Sequence, residues 1–151
     1  MSKKAFQLDR TFTHRLHTLS KLTDRVTQAT YESRADIGLS EGRCLAAVGA
    51  FRPLSINDLA ARANLDKAQA SRAAQALVAR GWVNKVTGMK DRRGVLLTLT
   101  PEGNSRWSKL KRVISDRNAE IVACLDDGEQ TLFSTLLDRL LAHAERRQIN
   151  K

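Results

Sequence analysis

Two clusters of side chains in the middle of the chain carry groups suited to reading a polar, negatively charged surface. Lys67, Gln69, Arg72 and Gln75 recur at helical spacing in KAQASRAAQALVARG, and Lys90, Asp91, Arg92 and Arg93 crowd into the turn TGMKDRRG. A glutamine amide can bond adenine N6 and N7 together, and lysine or arginine can bond guanine O6 and N7. Ala68 and Ala76 lie among the polar residues, and such small side chains let a helix sit deep in a major groove. Arginine in a basic turn suits the strongly negative potential of a narrow minor groove. Asp91 would repel phosphate, so its place is as an orienting partner for the arginine two residues on. Each cluster also has a plainer reading. Gln69 stands three residues after Asp66 and can close a capping box without touching a base. Arg72 suits a phosphate or a structural contact, and a charged turn can simply be solvated.

The flanking residues predict the elements that hold these groups. Pro53-Leu54 is extended, and Ser55 can cap a short helix with Asp58 in its first turn. Ile56, Leu59, Ala60 and Ala63 form the inward stripe of that helix. Asn64-Leu65 makes a turn, and Asp66 caps a second helix whose buried side is Ala70, Ala74, Leu77 and Val78. Gly81 ends it. Val83 to Val86 forms a strand, and Val95, Leu97 and Leu99 alternate along the next. Helix, turn, helix and a basic hairpin is the arrangement of a head that reads double-stranded DNA.

Charge follows the same stretch. The net charge is +10, and residues 62–112 hold twelve basic side chains against three acids, which accounts for +9 of it. This is the electrostatic footprint of a polyanion binder. A basic amphipathic helix with a strongly apolar face is absent, so a membrane is not the expected partner. No run is long enough to span a bilayer, and the two lysines of the N-terminus are not followed by the apolar stretch of a signal peptide, so a cytoplasmic location is expected.

The run from Leu54 to Gly103 resembles the core of the MarR family of bacterial transcription regulators. The matching pieces, in order, are Leu59-Ala60, Ser71-Arg72, Leu77, Arg80-Gly81, Asp91-Arg92-Arg93 and Leu99-Thr100-Pro101-Glu102-Gly103. The resemblance implies a mainly α chain with a small β-hairpin wing, a winged helix-turn-helix with N- and C-terminal dimerisation helices. It implies a homodimer on a palindromic operator, with Arg93 entering the minor groove. The expected organisation is one MarR-type domain over 1–151, with a DNA-binding core at about 40–100 and dimerisation helices at about 6–33 and 101–147. Ser55 and Ser71 join the two clusters as candidate DNA-facing positions.

The outer segments fit that expectation. Over 6–33, Phe12, Leu16, Leu19, Leu22 or Thr23, and Val26 recur on one helical face. Asp36-Ile37-Gly38-Leu39 breaks this helix, and Ser40 is expected to cap the next, at about 40–51. Many family members have a tryptophan where this chain has Gly42, so room or a softer helix start is expected there. Thr100 caps a helix with Pro101 at its first position, running to about Leu125. Asp127, with Gln130 three residues on, is expected to cap a last helix. Its stripe of Leu132, Phe133, Leu136, Leu137, Leu140, Leu141 and Ala144 is too apolar for a helix lying alone, so a partner copy or the first helix should cover it.

By the resemblance, a small-molecule effector such as an aromatic or phenolic acid would bind where the first, second and fifth helices meet. Arg43, beside Gly42, is the candidate anchor for its carboxylate, with His14 and His17 as second polar contacts. The plainer reading of Arg43 is an ion pair to the dimer partner. His14 and His17 lack the further ligands of a tetrahedral metal site. No nucleophile, phosphate-loop or dinucleotide motif stands out, so neither catalysis nor a cofactor is expected. Cys44 and Cys124 fall on apolar faces and read as buried, inert thiols. The sequence therefore points to a ligand-responsive regulator, most often a repressor in this family. The rival is a DNA-organising protein that binds without sequence preference.

Overall fold

The computed structural model describes residues 5–87 and 94–149. The chain divides into two compact units, Met1–Ser115 and Asp116–Lys151.

In the first unit a single 3-10 turn, Leu8–Arg10, leads into helix α1, Phe12–Ala35. Asp36 ends α1 at φ 52°, a left-handed position that a short polar side chain tolerates. Helix α2, Leu39–Phe51, begins one residue before the expected start. Its N-cap is Gly38 rather than Ser40, and Gln28 of α1 supplies the missing acceptor, 2.8 Å from the Leu39 N–H. Cys44, Leu45, Ala47 and Val48 of α2 lie at the centre of the core. Two glycines let its neighbours come close. A Cβ at Gly42 would lie 2.6 Å from the Tyr31 ring of α1, and one at Gly49 would lie 2.6 Å from the Trp107 indole. The room expected at Gly42 is thus absent, because Tyr31 fills it.

After α2, strand β1 is only Leu54–Ser55. Ser55 then caps helix α3, Ile56–Ala63, accepting the Asn57 N–H at 3.1 Å. Asn64, at φ 53°, turns the chain, and Asp66 opens helix α4, Lys67–Ala79. Strands β2, Val83–Thr87, and β3, Val95–Leu99, form the predicted hairpin, with Val83 opposite Leu99 and Thr87 opposite Val95. The sequence did not reveal that β1 joins them, pairing Leu54 with Leu97, so the sheet is three-stranded and antiparallel in the order β1-β3-β2. Leu97, fully buried, anchors this sheet to the core.

Helix α5, Pro101–Ile121, starts as the sequence predicts: the Thr100 hydroxyl accepts the Gly103 N–H at 2.9 Å. It ends four residues before the expected Leu125. Leu110 and Val113 are its contribution to the core of the first unit.

The second unit holds the end of α5, a turn and helix α6, Asp127–Ile149. The cap of α6 is Asp126, not Asp127. Asp126 accepts the Glu129 N–H and Glu129 accepts the Asp126 N–H, both at 2.9 Å. Gln130, expected in that box, instead donates its amide to the Val122 and Leu125 carbonyls. Adjacent aspartates, each with a Glu or Gln three residues on, made the two registers equivalent in sequence. Cys124 lies in this turn and is exposed, contrary to expectation, whereas Cys44 is buried.

Candidate nucleic-acid interface

The polar groups singled out on α4 share a face because alanines occupy the other one. Ala70, Ala73, Ala74 and Leu77 are buried against the core. Val78, expected on that side, is exposed, and Ala73 takes its place. Lys67, Ala68, Gln69, Ser71, Arg72 and Gln75 are all exposed. With mostly alanine methyls beneath it, α4 lies close on α2. Ser40 and Glu41 of α2 and Gln69, Arg72, Ala73 and Ala76 of α4 line one open crevice.

Local hydrogen bonds fix the start of α4. The Asp66 carboxylate accepts the Gln69 N–H at 2.8 Å, and the Gln69 side-chain oxygen accepts the Asp66 N–H at 3.3 Å. The capping box is therefore formed. Its second bond is the long one, and breaking it would free the Gln69 amide for another partner. Ser55 differs from the other candidates. It is 7% exposed and its hydroxyl is engaged by Asn57, which makes it a helix cap with little surface to offer DNA.

The far end of α4 carries a cluster that the sequence reading missed. Arg80 donates to the Asp36 carbonyl oxygen at 2.7 Å and to the Glu41 carboxylate at 3.2 Å, and its guanidinium lies 3.9 Å from the centre of a Trp82 ring. Trp82 donates its indole N–H to Glu102 at 3.2 Å, and Arg106 also lies over its ring, at 4.7 Å. The one sequence signal was Glu102 and Arg106 at helical i, i+4 spacing.

Gly94 leads into β3 at φ 73°, where glycine is at ease. Lys90, Asp91, Arg92 and Arg93, the proposed wing tip, lie outside the described residues. Lys85 on β2 is exposed.

The candidate ligand residues are not gathered in one place. Arg43 forms an ion pair with Asp24 of α1, Nη2 to Oδ1 2.7 Å, so within one chain it ties α2 to α1. His14 and His17 are exposed on α1, ten and seven residues before Asp24. At helical rise that is roughly 15 and 10 Å along the axis. Burial pushes the Cys44 thiol up to about 11, with the Glu41 carboxylate adding to the shift, so at neutral pH it carries its proton. Among the described residues no group of three or more His, Cys, Asp or Glu side chains could hold a metal ion. Also among them, no helix is long and apolar enough to cross a membrane.

Comparison with known proteins places this geometry. Residues 35–94 match the model of the MarR family. A curated relative, the HTH-type transcriptional regulator BilQ of Clostridium symbiosum, is 28% identical over 86 residues, 57% of this chain and 60% of BilQ, so the match spans less than two thirds of that relative. Among solved structures, a MarR/EmrR family regulator from Acinetobacter sp. ADP1 superposes with a TM-score of 0.83 at 19% identity, covering 93% of this chain and 99% of that one. Bordetella bronchiseptica BpsR, whose DNA binding is regulated by 6-hydroxynicotinic acid, superposes with a TM-score of 0.79 at 20% identity, covering 91% and 97%. At such identities the superpositions establish the fold. They lead to one assignment: the chain has the winged helix-turn-helix fold of the MarR-type regulators, and its residues 35–94, from the end of α1 to the start of β3, match the MarR family.

Proposed function

We propose that the protein is a ligand-responsive repressor that acts as a homodimer on a palindromic operator, the whole chain forming one MarR-type domain. The observation that carries the DNA-reading part is α4. Lys67, Gln69, Ser71, Arg72 and Gln75 stand exposed on a helix whose opposite face is buried. In this reading α4 enters the major groove, Gln69 and Lys67 meet base edges, and Arg72 holds a phosphate. The wing residues Lys90, Arg92 and Arg93, with Asp91 orienting Arg93, reach the flank. The dimer reading rests on the apolar side chains of α1 and α6, which are exposed along both helices. In a single chain they would leave far more apolar surface in water than a monomer ordinarily does.

Gln69→Ala tests the reading helix. It is expected to relax preference at one base pair by about 1–3 kcal/mol, the worth of a bidentate contact. Competition among operators carrying each base at that position would measure this. An equal loss on every sequence would assign Gln69 to its capping box alone.

The effector reading rests on Arg43. Its side chain is two-thirds covered and its ion pair to Asp24 is itself partly exposed, so an incoming carboxylate can compete for it. An aromatic acid suits the site because such an acid regulates the similarly folded BpsR. His14 and His17 would have to be reached by a long ligand or through the partner. Arg43→Ala is expected to leave operator affinity near wild type and to abolish release by the acid, as read by fluorescence anisotropy of labelled operator. Loss of operator binding without any ligand would make the Arg43–Asp24 pair structural.

A further inference from the structure

We infer that Arg80 is the positioning residue of the reading helix: a clamp of Arg80, Asp36, Glu41 and Trp82 sets the angle at which α4 is presented. The inference rests on the DNA-reading role proposed above.

The geometry is that of a joint between three parts of the first unit. Arg80 is the C-cap of α4. One edge of its guanidinium bonds the backbone carbonyl of Asp36, at the corner between α1 and α2, at 2.7 Å. Another nitrogen bonds Glu41 in the first turn of α2 at 3.2 Å, and its face rests on Trp82, which is 3% exposed. Trp82 is in turn fixed to the start of α5. Its N–H meets Glu102, its carbonyl accepts the Thr100 N–H at 3.1 Å, and Arg106 covers the ring. Only a planar, forked cation can bond two acceptors by its edge and stack by its face at once, so lysine is not a substitute. The Asp36 carboxylate itself is largely exposed and screened. The Asp36 carbonyl and Glu41 are the firmer attachments.

Lever arm gives the clamp its consequence. Thirteen residues of α4 span ~20 Å, so a ~5° tilt at the Arg80 end moves the Lys67 end by ~1.7 Å. A hydrogen bond to a base edge tolerates only a few tenths of an ångström. The buried face of α4 is alanine apart from Leu77, so few interlocking contacts oppose such a tilt.

The acids make a test with opposed signs. Asp36→Asn with Glu41→Gln removes two negative charges from the protein while keeping shape. Asparagine suits the left-handed position 36 as well as aspartate does. Simple electrostatics predicts tighter DNA binding for this double variant. The clamp predicts the opposite for the selected operator: affinity falls by about two- to thirtyfold, the range for residues acting through a packed network. Affinity for scrambled duplex does not fall. Trp82 gives an independent signal. In a Trp107→Phe background it is the sole tryptophan, and its quenching by acrylamide is expected to rise in the double variant and in Arg80→Lys. Arg80→Lys, which keeps the charge, is expected to lose specific affinity as well, and Arg80→Gln, which removes it, to do so with an unchanged salt slope. A slope lowered by about one would mean a lost phosphate contact and overturn the positioning role. Specific affinity retained or increased in the double variant, with wild type discriminating operator from scrambled DNA, overturns the clamp alone. Wild type showing no discrimination overturns the DNA-reading proposal and the clamp with it.

Discussion

Replacing Leu136 and Leu140 of α6 by aspartate is expected to turn a dimer into a monomer and to abolish operator binding. Both leucines are exposed in the single chain, at 41% and 47%, so the substitution costs the isolated fold little. In a two-fold interface each change occurs twice. Fully burying a leucine is worth about 1.5–3 kcal/mol and about half of each is already covered, so four lost leucines remove roughly 3–6 kcal/mol of association free energy. Four carboxylates desolvated in their place cost at least as much again, and together the two losses reach the stability of a micromolar dimer, about 8 kcal/mol. Sedimentation equilibrium should show a monomer, with helical circular dichroism retained. A variant that still sediments as a dimer would remove α6 from the interface.

Gly103→Ala should produce the largest loss of stability from a single methyl group. A Cβ at Gly103 would overlap the Trp82 carbonyl oxygen, which is held in place by the Thr100 N–H. A flexible side chain could swing away from such an overlap; a backbone carbonyl in a hydrogen bond cannot without moving the strand. Alanine favours a helix over glycine by only about 1 kcal/mol. Overpacking costs typically 1–3 kcal/mol and more against rigid backbone, so the net change is a destabilisation of about 2 kcal/mol or more. For a chain of this size that lowers Tm by roughly 4–8 °C at fixed protein concentration. Gly81→Ala is the control. Gly81 has φ 74° but open space around it, so only backbone strain of about 1–2 kcal/mol is added. A Gly103→Ala Tm equal to wild type would show that α5 can slide relative to Trp82.

What the sequence made legible was local. Ser55, Asp66, Thr100 and Pro101 sit where helices start, and each cap depends on groups two or three residues away. The alternation of Val95, Leu97 and Leu99 gave the hairpin for the same reason. What stayed hidden was brought together by folding. Tyr31 fills the space at Gly42 from another helix, and Gln28 caps α2 from eleven residues upstream. Arg80 meets Asp36 across 44 positions. Arg43 was legible as a charged residue on a buried helix, but its partner Asp24 was not, because nothing in the spacing of α1 marks that aspartate over its neighbours. Val78 and Ala73 exchanged places because an alanine-rich helix gives the periodicity little contrast to work with.

The central claim, that this protein reads sequence rather than merely coating DNA, is tested most directly by selection. Purified protein is used to enrich binding sites from a pool of random duplexes, and the winner is compared with its scrambled version over a series of salt concentrations. An inverted repeat should emerge with half-sites centred about one helical turn, ~34–36 Å, apart. Its preference over scrambled duplex should be roughly 10³ or more at physiological salt. A pool that shows no enriched motif, with equal affinities that fall together as salt rises, would contradict the account and leave a basic protein that organises DNA without reading it.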